Sequence, residues 1–427
     1  MAQKIVRKQI GERVFFSKIE DEKFETSKIS INLITPMKKE TATANALISN
    51  LFSNGCVRFP TQTALNRKLS MMYGSIVESS VRKIGDSQLL SLVGISIDDS
   101  FALNGEKLLF ELSTLLCEIL LNPPFKKGMF DKKNVKIEKE NLKDTILAEI
   151  NDKRSYAATQ SVKLSIPNDP ISFSNFGYVN DLKNLTPKTL TERYHSLLKE
   201  SAVEIVCVGK NFNNEIENLF IETFSKIKRE GDHTFSSTFV KPLSEIQNFN
   251  ETKAVEQTKL VVLYNLTKPI NEDSFPALSV MSTLYGGSAY SKLFMNVREK
   301  MGLCYYASAG CDKRKGVIIA DCGVEKENLE KAKDEIINQF KDIQNGVFSD
   351  EELENAKKTL VNSCKSVGDS PNSVESWYLT GFLTGRNVTP EQESENIMNV
   401  SRENVVEMAN LFNLRATYTL SGGADDE

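Results

Sequence analysis

The chain has 427 residues, 40% hydrophobic and 26% charged, a balance ordinary for soluble globular proteins and sufficient to bury large cores. Its 53 basic and 57 acidic side chains are interspersed and leave a net charge of -4, which excludes the basic footprint of a nucleic-acid or anionic-membrane binder. No apolar run approaches the roughly 20 residues of a membrane span. Met1 to Arg13 carries positive charge without the apolar core of a secretory signal.

Strand-like and helix-like segments then alternate. Lys28 to Pro36 alternates apolar and polar residues, the pattern of a half-buried strand. Thr41 to Phe52 reads as a helix ending near Gly55, and Ala64 to Met72 as a short helix stopped by Gly74. Ile76 to Ile97 reads as two strands around a turn at Gly85-Asp86. Leu108, Leu109, Leu112, Leu115, Leu116, Ile119 and Leu120 fall at helical spacing until Pro123-Pro124. A charged helix follows over about 131 to 152. After an irregular stretch come a helix near Pro187 to Lys199 and a strand, Val203 to Val208.

The same order repeats. Thr258 to Thr267 matches the Lys28 strand, and Leu278 to Gly287 matches Ala46 to Gly55. Gly302 answers Gly74, Gly323 answers Gly94, and Phe348 to Leu360 answers Phe130 to Leu142. Leu329, Ala332, Ile336, Ile337 and Phe340 form the second long amphipathic helix. Leu185-Thr186-Pro187 leads to the strand ending at Gly209, and Val400-Ser401-Arg402 leads to the one ending at Gly422. The offset drifts slowly, as loop insertions would cause, and its length rules out a solenoid. The expected organisation is two tandem homologous domains, 1–229 and 257–427, joined by a polar linker over 230–256. Each is an α+β layer, a mostly antiparallel sheet with helices on one face.

Residues suited to catalysis are scarce. The two histidines, His195 in a polar helix and His233 in a loop, are both expected to be exposed. Imidazole is the usual zinc ligand and general base. The seven cysteines include no C-x-x-C pair, and Cys117 and Cys207 lie inside apolar runs, as in a reduced, cytoplasmic chain. Cys304, Cys311 and Cys322 fall in one short region, where buried thiols are the expectation ahead of a metal site.

Leu293 to Tyr305, LFMNVREKMGLCY, is similar to the L-F-x-x-V-R-E-K-x-G-L-x-Y string of the pitrilysin-like (insulinase) zinc peptidases. Leu121-Asn122-Pro123 and Gly286-Gly287 add to the resemblance, which covers nearly the whole chain. It implies a clamshell half in each domain, with an H-x-x-E-H motif on a first-half helix. There, two imidazoles one turn apart hold zinc and the glutamate deprotonates its water. With Gly55 and Pro60 fixing the register, those positions hold Ala46, Leu47, Ile48, Ser49 and Asn50. No histidine precedes His195, so a slip in register restores nothing. The later glutamate ligand falls on Thr145, or on Glu149 after a shift of four, and Asn151-Asp152 resembles the family's acidic stretch. Arg298 and Tyr305 match the residues that in active relatives reach the substrate and its reacting carbonyl; packing in the sheet and a local pair with Glu299 are the alternative.

The resemblance thus implies a peptidase homologue without zinc and without activity alone. The expected role is the non-catalytic subunit beside a homologous zinc-containing chain, helping to bind peptide. A soluble homodimeric scaffold is the alternative, and an enzyme with a different nucleophile lacks a base.

Overall fold

The computed structural model describes residues 4–210, 212–231, 233 and 235–422. The first half of the chain runs β1 (Lys4–Gly11), β2 (Val14–Glu20), β3 (Thr26–Pro36), α1 (Lys39–Phe52), α2 (Gln62–Met71), β4 (Ile76–Ile84) and β5 (Ser87–Ile97). It continues with α3 (Leu108–Leu121), α4 (Lys132–Ala148), α5 (Lys153–Ser165), α6 (Val179–Leu182), α7 (Pro187–Glu200), β6 (Ala202–Gly209) and α8 (Asn214–Ser225). The second half runs β7 (Gln247–Thr252), β8 (Thr258–Leu266), α9 (Phe275–Gly286), a π-helix (Leu293–Lys300), β9 (Cys304–Asp312) and β10 (Val317–Val324). It ends with α10 (Leu329–Gln344), α11 (Asp350–Ser366), α12 (Pro371–Thr384), α13 (Pro390–Met398), α14 (Arg402–Ala409) and β11 (Phe412–Ser421).

The duplication is visible in the sheets. One has strand order β1-β2-β6-β3-β5-β4 and the other β7-β11-β8-β10-β9. In each, the last strand of the half lies between the first core strand and a parallel neighbour, β2 beside β6 and β7 beside β11. The other ladders are antiparallel. Strand β1 and helix α8 are additions of the first half.

By mutual contacts the chain divides into two units. The first holds residues up to Leu147, Phe173–Ser236 and Gly368–Gly385; the second holds Ala148–Ser172, Ser237–Val367 and the remainder from Arg386. Each unit therefore includes a helix drawn from the other half of the sequence, α12 in the first and α5 in the second. In the first unit one sheet face buries Phe16, Ile29, Ile31, Leu33, Leu90 and Ile205 against α1, α3 and α7. Each such side chain contributes roughly 1.5–3 kcal/mol on burial. The opposite face places Ile19, Ile34, Leu89, Val206 and Val208 against Val374, Tyr378 and Leu379 of α12. In the second unit Ala157 and Val162 of α5 pack on Val261, Leu263, Tyr418 and Leu420.

Coverage of both faces changes the reading of β3. Its polar alternates, Ser30 and Asn32, are not solvated but fully buried. The Ser30 hydroxyl donates to Glu375 Oε1 at 2.6 Å, and Asn32 Nδ2 donates to Ser30 Oγ at 2.9 Å and the Glu204 carbonyl at 3.1 Å. Lys28 Nζ lies 2.5 Å from Glu375 Oε2 and donates to Asn372 Oδ1 at 2.6 Å. A buried polar row under α12 thus carries its partners with it, which is what makes burial affordable.

Other local expectations shift. Helix α4 stops at Ala148, because Asp152 caps a new helix: its carboxylate accepts from the Arg154 and Ser155 amides. The polar segment near residue 250 contains the edge strand β7.

Candidate functional site

Helix α1 places Ala46, Ser49 and Asn50 within just over one turn. Ala46 is 1% exposed, Leu47, Ile48 and Ser49 are buried with it, and Asn50 is half-buried. The helix rests on edge strand β4 through hydroxyls. Ser79 donates to the Ser49 carbonyl at 2.7 Å, Ser49 Oγ donates to the Ser80 carbonyl at 3.5 Å, and Ser53 and Ser79 hydroxyls lie 3.4 Å apart. Beside this row Asn45 is held at both ends of its amide: Nδ2 donates to Gln88 Oε1 at 2.8 Å, and Oδ1 accepts from Arg193 Nε at 2.9 Å.

Zinc does not fit these residues. The two imidazole positions hold a methyl and an amide, and the general-base position holds a hydroxyl already engaged with backbone. A guanidinium, Arg193, binds the adjacent Asn45, where it would repel an incoming cation. Thr145 lies exposed on α4 with its hydroxyl donating back to the Asn141 carbonyl at 3.0 Å. Glu149 follows the end of that helix. Among the described residues no group of three His, Cys, Asp or Glu is placed to hold a metal.

The second unit presents a different surface. Leu293 to Lys300 winds as a π-helix, closed by the Met301 amide donating to the Asn296 carbonyl at 3.1 Å, and the Leu303 amide beyond it donates to the Val297 carbonyl at 3.1 Å. Such wide turns are uncommon and recur at functional sites. Leu293 and Val297 anchor it in the core. Arg298, with 38% of its side chain exposed, lies 4.6 Å over the Phe294 ring and 3.5 Å from Glu299. Tyr305 is 62% exposed, because the β9–β10 ladder skips it: Cys304 opposes Val324 and Tyr306 opposes Gly323. The structure therefore brings Arg298 and Tyr305 to adjoining elements of one unit. It gives Arg298 the local acid expected as the alternative, but does not pack Tyr305 away.

Of the three clustered cysteines, Cys304 faces Val324 across the ladder, Cys322 faces Ala307, and Cys311 sits further along the strand opposite Ile318. Their register is legible only once the bulge at Tyr305 is known, since sequence spacing alone treats the three alike. His195 is exposed on α7. His233 is half-buried instead of exposed, with Nε2 3.3 Å from the Ser87 hydroxyl.

Comparison with known proteins gives a consistent result. Residues 184–360 match the family described as "Peptidase M16 inactive domain". The chain is 26% identical over 409 residues, 95% of each protein, to the probable inactive metalloprotease YmfF of Bacillus subtilis. Its structure superposes on that of a conserved protein from Enterococcus faecalis with a TM-score of 0.90 and 26% identity, covering 99% of this chain and 100% of that one. A peptidase M16 inactive domain from Pseudomonas fluorescens superposes with a TM-score of 0.77 at 15% identity, covering 99% of both chains. The sequence string at Leu293–Tyr305, the duplicated sheets and these matches together make the chain a homologue of the pitrilysin-like, M16 metallopeptidases, similar to proteins described as inactive.

Proposed function

We propose that this chain is the non-catalytic, peptide-holding subunit of a cytoplasmic heteromeric peptidase whose zinc is supplied by a homologous chain. One contrast carries the reading: the motif positions on α1 are sealed by Ala46 and Ser49, while Arg298 and Tyr305 keep exposed donors on the other unit. Arginine offers fixed donors to a peptide carbonyl or carboxylate, and a tyrosine hydroxyl donates to a carbonyl oxygen. Seven free cysteines accord with a reducing compartment.

Affinity purification from native cells, followed by assay of the isolated assembly, tests the proposal. The reading predicts a stoichiometric homologue bearing H-x-x-E-H, and peptide cleavage that is chelator-sensitive in the pair and absent in this chain alone. Recovery of this chain alone, together with a purified chain that binds no peptide, overturns it. Self-association without peptide binding would favour the scaffold reading.

A further inference from the structure

The sequence contains three Asn-Gly steps, Asn54-Gly55, Asn104-Gly105 and Asn345-Gly346, and the fold treats them differently. An asparagine loses ammonia when the amide nitrogen of the next residue attacks its carboxamide carbon. Glycine, with no Cβ, leaves that approach open. The attacking nitrogen must be free to give up its proton, and the backbone needs room to close a five-membered ring.

Two of the steps fail these conditions. Asn54 follows α1, with its own amide donating to the Leu51 carbonyl at 3.2 Å and Nδ2 donating to Glu138 Oε1 at 3.1 Å. Gly55 is buried, its amide donates to the Phe52 carbonyl at 3.5 Å, and the Phe59 carbonyl oxygen lies 2.1 Å from where a Cβ would stand. Asn345 caps α10, donating its amide to the Lys341 carbonyl at 2.9 Å. The Gly346 amide donates to the Ile343 carbonyl at 3.0 Å, and the Gly346 carbonyl accepts from the Phe348 amide and from Arg402 Nη1, both at 3.1 Å.

Asn104-Gly105 lies between β5 and α3, and both residues are exposed. Gly105 has a φ of +71°, with nothing within 4 Å of the Cβ position. Among the described residues its amide meets no hydrogen-bond acceptor. The loop is latched instead by Glu106, whose carboxylate accepts from the Asn104 amide at 2.9 Å, from Asn104 Nδ2 at 3.1 Å and from the Tyr73 hydroxyl at 3.1 Å. The Tyr73 hydroxyl in turn accepts from the Leu103 amide at 3.0 Å. Glu106 is held down to about 2, first by the Asn104 side chain and then by backbone amides, so it carries its charge at neutral pH. The Asn104 side-chain bond faces solvent, where water competes for both partners.

We infer that Asn104 is a site of spontaneous deamidation and that its product unlatches this loop. The Gly105 nitrogen gives its proton to solvent and attacks Asn104 Cγ; the new N–C bond forms, the Cγ–Nδ2 bond breaks, and the leaving group takes a proton from solvent to depart as ammonia. Water then opens the succinimide. Opening at Cγ leaves an aspartate at position 104, and opening at the main-chain carbonyl leaves an isoaspartate. Water enters and ammonia leaves, with no change of oxidation state. Either product sets a second carboxylate beside Glu106 where a donor stood, and the repulsion of like charges separates the loop from Tyr73.

The test holds the purified full-length chain in mildly alkaline buffer, folded and in urea, and maps its digest by mass spectrometry, with isoaspartate marked by isoaspartyl methyltransferase. In the folded chain Asn104 is expected to convert at least about tenfold faster than Asn54 or Asn345, whose tied amides react only on local opening. In urea the three rates are expected to converge, because each asparagine precedes a glycine. Conversion of Asn54 or Asn345 as fast as Asn104 in the folded chain overturns the inference, and so does an Asn104 that reacts only in urea. Both readings come from the wild-type chain and need no variant. Asn104→Asp tests the unlatching: hydrogen exchange at the Leu103 amide is expected to quicken by about tenfold, and an unchanged rate refutes it.

Discussion

Helix α1 in the first unit and the segment from α9 through the π-helix in the second follow equivalent core strands, yet they differ in what they bury and what they expose. Along α1, small and apolar side chains close the positions where a metal motif would stand, and serines tie the helix to β4. In the second unit α9 is buried almost throughout, so surface chemistry passes to the π-helix and the bulge that follow it. A motif on a core-facing helix can be replaced by packing at little cost to the fold. On the irregular segment, Arg298 and Tyr305 are substantially exposed and contribute little packing.

The sharpest way to break this comparison is to disturb what keeps the first sheet closed. Glu375→Ala strands Lys28 and Ser30 under α12, and a loss of about 3–5 kcal/mol in denaturant unfolding is expected. Lys28→Met combined with Glu375→Leu should recover most of it, since well-packed apolar groups replace a buried pair at small cost. Next, Ala46→His, Ser49→Glu and Asn50→His together should not rebuild a zinc site. Two of the three side chains enter fully packed positions, so a loss of about 3 kcal/mol and a melting temperature unmoved by zinc are expected. In the second unit, Gly286→Ala places a methyl 2.4 Å from the Ala309 amide nitrogen and should cost about 1–3 kcal/mol by pushing α9 off β9. Gly310→Ala, on the same strand with open space around it, is the control that should stay within about 0.5 kcal/mol. Smallest is the effect of Arg298→Ala and Tyr305→Ala on stability, within about 0.5 kcal/mol by thermal melting, because both side chains are substantially exposed.

Much of this arrangement is legible in the sequence. The core strands β3, β5, β6 and β8 and the long helices α1, α3 and α10 announce themselves by apolar period, and the repeated order of glycines and prolines exposes the duplication. That Ala46, Ser49 and Asn50 carry no imidazole or carboxylate is read from residue types alone. What stays hidden has physical causes. Strand β7 is half-exposed along its length, so Gln247–Thr252 carries no apolar alternation. Helix α5 buries only Ala157, Ser161, Val162 and Ser165, whose small side chains let it lie close to a sheet without an apolar stripe. The buried hydrogen bonds of Ser30 and Asn32 depend on Glu375, a partner far along the chain that no local pattern indicates. The exposure of Tyr305 depends on one skipped residue in a ladder.

The most direct test of the central contrast is peptide binding and cleavage by the purified chain, followed by fluorescence with and without chelator. The account predicts binding that chelator leaves unchanged, that weakens about tenfold in Arg298→Ala through loss of a charged hydrogen-bond donor, and that leads to no cleavage. Cleavage by this chain alone that chelator abolishes would contradict it.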